Sequence, residues 1–173
     1  MLAFHENFIL SERRWDIQAL CIGNFDGIHC GHQELLRQCR HLGGEASGLL
    51  TFSPHPRQIT HPPGVPEIST LHEKKGLIQD YGMSHLFIQT FDESFSRLSS
   101  KDFLRHFIFP RFNPKFLVVG HDFSFGHRGQ GGAKDLQELS PESCQVISVS
   151  PVLVAGQRVS STCLLYTSPS PRD

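Results

Sequence analysis

The chain has 173 residues, a formal net charge of −1 and 38% apolar residues, enough for the core of one domain. A protein that coats nucleic acid carries a large basic excess, so this balance excludes that class and requires any phosphate to be gripped by a local site. No apolar stretch reaches the length of a membrane span, residues 1–14 lack the basic-then-apolar order of a signal peptide, and none of the five cysteines forms a C-x-x-C pair. Together these predict a cytoplasmic chain with reduced thiols and no membrane or nucleic-acid partner.

Residues 16–22 are apolar-rich and end at Gly23, the pattern of a buried strand. Leu35, Leu36, Cys39 and Leu42 recur at helical spacing over 31–42, and Gly43-Gly44 ends that helix. A second strand over 48–52 runs into Pro54 and Pro56, and 62–66 reads as a loop. A helix over 71–81 closes at Gly82, a strand follows over 84–91, and a helix over 101–109 starts behind Ser99 or Ser100 as cap. The remaining expectations are a short apolar strand over 116–119, a glycine loop over 126–132, a helix over 133–139 and a strand over 145–149. The stretch 152–159 reads as a hairpin turning at Ala155-Gly156. Alternating strands and helices predict an α/β fold with a largely parallel, Rossmann-like sheet. Such sheets bind ligands at the carboxyl ends of their strands, so the chemistry is expected just after Ile22, Phe52 and Val119.

The turn after the first strand reads Gly23-Asn24-Phe25-Asp26-Gly27-Ile28-His29-Cys30-Gly31-His32. It has neither the G-x-G-x-x-G of a dinucleotide fold nor the G-K-[ST] of a P-loop. It carries instead two histidines three apart at a helix start, on one helical face. Unpaired N–H groups and the helix dipole there favour an anion, and Gly31 lets a ligand approach the backbone. A metal pair is the competing reading of the histidines, but it needs a third ligand and nothing nearby supplies one, so the metal ligands stay unknown.

This turn resembles the H-x-G-H nucleotidyltransferases, and more narrowly the bacterial FAD synthetases, where a G-N-F-D-G-V-H-x-G-H run is characteristic. Four further segments are similar to that family in order and spacing. They are Thr51-Phe52-Ser53-Pro54-His55-Pro56-Arg57, Ser69-Thr70-Leu71-His72-Glu73-Lys74-Lys75, the segment 118–126 containing Gly120-His121-Asp122-Phe123-Ser124-Phe125-Gly126, and the segment 151–162 ending Val159-Ser160-Ser161-Thr162. The resemblance covers about residues 17 to 162.

It implies an FMN adenylyltransferase that takes ATP and FMN to FAD and pyrophosphate, with Mg2+ accompanying ATP. It implies that His29 and His32 hold the phosphates and carry catalysis, and that Gly23, Asn24, Phe25, Gly31, Ser160, Ser161 and Thr162 bind ATP. Phe52, His55, Asp122, Phe125 and Arg128 are the corresponding FMN contacts. Of Phe123 and Phe125, one is expected to line the pocket and the other to join the core. Family members usually carry a riboflavin kinase domain after this point, which would be fused downstream in the intact gene. Two alternatives stay open: another H-x-G-H transferase, acting on a pantetheine, nicotinate or cytidylyl substrate, and a flavin- or nucleotide-binding module without turnover.

From Cys163 the chain reads Cys-Leu-Leu-Tyr-Thr-Ser-Pro-Ser-Pro-Arg-Asp. A DNA string joining a transposase end to a sequencing adapter encodes every one of these residues, so 163–173 is expected to be a translated library scar and 1–162 the domain, incomplete at its C-terminus. The family pattern continues after Thr162 with any residue, a branched apolar residue and an arginine. Here Cys163, Leu164 and Leu165 stand at those positions. The missing arginine would neutralise the leaving pyrophosphate, so the expectation for this chain is weak activity or none.

Overall fold

Leu20 and Ile22 face one side of the central strand β2 (Ala19–Ile22), and Ala19 and Cys21 face the other; all four are fully buried. A strand apolar on both faces must be covered on both, which is the condition of a parallel sheet between helical layers. The computed structural model describes residues 1–6, 8, 12–64 and 66–158. Its main sheet has six strands, all parallel, in the order β1-β4-β3-β2-β5-β6. The others are β1 (Ala3–Glu6), β3 (Ser47–Ser53), β4 (His85–Thr90), β5 (Phe116–Gly120) and β6 (Gln145–Val149).

The helix α1 (Cys30–Gly43) and the helix α3 (Leu71–Asp80) cover the face carrying Cys21, Leu49, Leu86 and Val118, burying Leu35, Leu36, Cys39 and Ile78. The opposite face carries Leu20, Ile22, Leu50, Phe87 and Leu117. It is covered by a continuous helical run: α5 (Ser100–Asp102), a π-helical stretch (Phe103–Ile108) and α6 (Phe109–Arg111). Ser99 caps this run by accepting from the Asp102 N–H. Two short helices, α2 (Pro56–Thr60) and α4 (Glu93–Ser96), follow the ends of β3 and β4, and α7 (Ala133–Leu139) precedes β6. A two-stranded hairpin, β7 (Leu153–Val154) and β8 (Gln157–Arg158), turns at Ala155 and Gly156, both with positive φ.

The chain leaves β2 toward β3 on one side and takes up β5 on the other, with the intervening helices on opposite faces of the sheet. That reversal opens a crevice above the carboxyl end of β2, where open α/β sheets hold ligands. The expected Rossmann-like α/β sheet is therefore observed. One boundary differs. The strand expected from residue 16 joins the ladder only at Ala19, because Trp15 N–H donates to Arg111 O, Ile17 N–H to Trp15 O and Gln18 N–H to Ala46 O. Trp15 and Ile17 are buried by this turn, so apolar character there reports burial rather than strand. The edge strand β1, with α2 and α4, was not anticipated.

Candidate active site

The turn from β2 to α1 is tied down before it reaches the histidines. The Gly23 N–H donates to Leu50 O at 3.1 Å. The carbonyl of Asn24 accepts from Thr51 Oγ1 at 2.9 Å and from Lys74 Nζ at 3.2 Å. Phe25, at φ 51°, drops its ring into the core, where it is fully buried and 4.8 Å from the ring of His32. The ring expected to meet nucleotide thus supports the turn from beneath. The buried carboxylate of Asp26 accepts from Ile68 N–H, Ser69 N–H and Ser69 Oγ at 2.9–3.1 Å, while Gly27 N–H donates to Ser69 Oγ at 3.1 Å. Sequence reasoning passed over Asp26, whose only signal was a charge inside an apolar-flanked turn.

His29 is the N-cap of α1, with extended backbone. Its Nδ1 accepts from Gly31 N–H at 3.1 Å and His32 N–H at 3.4 Å. These are the N–H groups expected to stand free for phosphate; the imidazole does here what a serine or aspartate cap does elsewhere. An Nδ1 that accepts leaves the neutral ring's proton on Nε2. Gly31 serves the same geometry, since a Cβ there would lie 3.0 Å from His29 Cε1. The space it opens is filled by His29.

The rings of His29 and His32 stack at 3.8 Å and 19°. Burial, with the neighbouring His29 and Lys74 charges, lowers the His32 pKa to about 3. His32 is therefore uncharged at neutral pH, and its buried Nδ1 has no hydrogen-bond partner among the described residues. A neutral imidazole keeps one N–H donor, and beside a helix N-terminus such a donor suits an incoming anion.

The far wall is aromatic. Phe52, at the end of β3, meets Phe91 edge-on at 5.9 Å and 81°, and Phe95 at 5.9 Å. His55 caps α2, its Nδ1 accepting from Arg57 N–H at 3.2 Å, and its own N–H donates to Glu67 Oε1 at 2.8 Å. Burial lowers the His55 pKa as well. Past β5, the Asp122 side chain is exposed at the rim, 3.9 Å from His121. Of the two phenylalanines that follow, Phe125 is the buried one and packs on Phe103, while Phe123 is half-buried and stacks on Phe125 at 5.6 Å. The ring chosen for the flavin is thus mostly core, and Phe123 is the more available surface.

The loop beyond them is pinned by the Phe125–Gly131 bridge and by close approach to Ser100. A Cβ on Gly126 would fall 2.6 Å from the Ser100 nitrogen. His127 Nδ1 donates to Ser96 O at 3.2 Å, and Arg128 stands exposed at φ 55°.

One cleft of about 950 Å³ joins these parts, of a size suited to small-molecule ligands. Its lining includes Gly23, Asn24, Phe25, His29, Gly31 and His32 from the turn, and Phe52, His55, Asp122, Phe125 and Arg128 from the strand ends opposite. Ser160, Ser161 and Thr162 lie outside the described residues. Among the described residues no group of three His, Cys, Asp or Glu side chains could hold a metal ion.

A family model described as FAD synthetase matches residues 11–163. The "Bifunctional riboflavin kinase/FMN adenylyltransferase" of Buchnera aphidicola subsp. Schizaphis graminum is 33% identical over 157 residues, covering 85% of this chain and 50% of that protein. The protein of the same name from Escherichia coli K12 is 30% identical over 150 residues, covering 84% of this chain and 48% of that one. The chain thus spans about half the length of the curated relatives it matches. Among solved structures, one titled "Macrolide-efflux Protein" from Streptococcus pneumoniae is similar with a TM-score of 0.82 at 26% identity, over 95% of this chain and 56% of that one. A pantothenate synthetase from Thermus thermophilus shares the fold with a TM-score of 0.59 at 15% identity, over 99% of this chain and 68% of its own.

Proposed function

The chain belongs to the FAD synthetase family, and from that premise we propose that it transfers the adenylyl group of ATP to FMN. A phosphate oxygen of FMN attacks the α-phosphorus, the new P–O bond forms, and the bond to the β-phosphate bridging oxygen breaks to release pyrophosphate. The attacking oxygen is already ionised at neutral pH, so no proton has to be removed and no covalent enzyme intermediate is needed. What the reaction demands is that two anions be held in line, which makes positioning and electrostatic stabilisation the main contributions.

The observation that carries this reading is one cleft with two unlike ends. A helix N-terminus with stacked histidines lies at one end, and an aromatic wall with Phe52, Phe95 and Phe123 at the other. His29 and His32 contact the ATP phosphates and the leaving pyrophosphate. Gly23, Asn24 and Gly31 shape the turn under the nucleotide, with Phe25 bracing it. Phe52, His55, Asp122, Phe125 and Arg128 surround FMN, the arginine toward its phosphate. Ser160, Ser161 and Thr162 complete the ATP side. Mg2+ enters with ATP on the phosphate oxygens, as this ion often does, rather than in an all-protein cage.

The same proposal assigns the chain to the cytoplasm. No helix among the described residues is long and apolar enough to cross a membrane, and the four described cysteines are free. It assigns 163–173 to a translated scar, with the family match ending at 163 in support. The relatives' names carry a second activity, riboflavin kinase, and we assign that activity to a domain fused downstream in the intact gene.

A substrate panel tests the reaction. Pyrophosphate release from ATP is followed with FMN, a phosphopantetheine and nicotinate mononucleotide, using a chain in which the family's apolar residue and arginine replace Leu164 and Leu165. Release only with FMN is expected; release with another acceptor and not with FMN would transfer the chain to a different H-x-G-H activity.

A further inference from the structure

Lys74 lies in the first turn of α3, whose N-terminus is closed by a capping box between Thr70 and Glu73. Only 4% of it is exposed. A cation is disfavoured there twice, by loss of water and by the positive end of the helix dipole. An apolar side chain of similar length would fill the space without either cost. The lysine is nevertheless aimed at the turn: its Nζ donates to Asn24 O, the carbonyl that Thr51 Oγ1 also holds. The ammonium also lies close enough to both ends of the cleft to act on them. Burial is the main cause lowering the pKa of both His32 and His55; the Lys74 charge adds to it, after His29 at His32 and alongside Arg57 at His55, where Asp26 and Glu67 oppose it.

We propose that Lys74 is a positioning residue for the adenylyl-transfer site: it fixes the phosphate-facing turn through Asn24 and sets a buried positive charge beneath the cleft, beside His32. This rests on the reading of the cleft as an ATP site. It gives the ligand's phosphates a cation that does not have to be gathered from solvent on binding, which is the pre-organised form of electrostatic stabilisation. It also adds to the burial and the His29 contribution that disfavour the charged form of His32.

The test uses the whole chain, with ATP–magnesium binding by calorimetry and the imidazole of His32 followed by NMR through a pH titration. In K74M, ATP affinity is expected to fall about tenfold or more, the cost of one charge-assisted contact. The His32 midpoint is expected to rise by about half a pH unit. T51V removes the other bond to Asn24 O and no charge, so it should leave the His32 midpoint in place. A folded K74M that binds ATP like the parent, with an unmoved His32 midpoint, overturns the proposal.

If K74M does not fold, K74R decides. Its retained charge predicts an unmoved His32 midpoint and ATP affinity within about threefold of the parent. A midpoint that rises in K74R overturns the role. A parent chain that binds no ATP counts against the adenylyl-transfer reading, whereas an unmoved His32 midpoint in K74M counts against Lys74 whether or not ATP binds.

Discussion

His29 has two ring nitrogens with separable roles. Nδ1 closes the start of α1, and Nε2 carries the neutral ring's proton. H29A removes both and is expected to cost about 1 kcal/mol of stability, the usual value of an N-cap. H29N keeps a cap acceptor and loses the ring, so its stability should stay near the parent's. Both variants should lose about 10²–10³ in rate if the imidazole meets the phosphates. Urea unfolding and FAD formation, measured on the pair, separate the two roles. The partly buried His32 makes a second prediction. Its folded pKa, about 3, lies below the unfolded value near 6.5, so between those pH values the unfolded chain binds a proton that the folded chain does not. Stability therefore falls as pH is lowered through that window, and His5, lowered to about 4 by burial, adds in the same direction. Between pH 7 and pH 5, H32Q should lose about 1–2 kcal/mol less than the parent, read from urea midpoints. An equal loss in both would show that His32 is solvated. At this scale the sequence displayed the histidines and their spacing. It did not display the cap, because whether an imidazole serves the backbone or a ligand depends on a rotamer. Nor did it show which of Phe123 and Phe125 goes inward, since alternation says only that they differ.

The loop after β5 is held as an element rather than by any one contact. Gly126 has φ 79°, and a Cβ there would collide with the Ser100 backbone at the start of the helical run. G126A should therefore cost about 1–3 kcal/mol and move Arg128 and Asp122 away from the cleft mouth. Thermal unfolding and the KM for FMN check this, and an unchanged KM in a destabilised variant would detach the loop from the site. The strands and long helices of the core were legible, because their apolar periodicity is set by burial on two faces of one sheet. The strand β1 was not, because three half-buried residues and the exposed Glu6 at an edge carry no pattern that a loop lacks. The π-helical stretch was read simply as helix. Phe103, Leu104, Phe107 and Ile108 fit one apolar face whether the turn holds four residues or five.

Over the whole molecule, the doubly wound sheet brings to one crevice residues as far apart in sequence as Ile22 and Val152. Parallel order and the strand-end rule made the location of that crevice readable in advance. The clamp between Asp26 and the 68–69 backbone was not readable, because it joins segments some forty residues apart through a carboxylate that no local pattern singles out. The central claim is adenylyl transfer to FMN, and the direct measurement is FAD formation from FMN, ATP and magnesium, resolved by chromatography. It is made on the chain as it stands and on one with the family's apolar residue and arginine in place of Leu164 and Leu165. The account predicts FAD from the restored chain, little or none from the present one, and none from either when both His29 and His32 are replaced by alanine. A folded, restored chain that forms no FAD at saturating FMN and ATP, or forms it equally well without the two histidines, would contradict it.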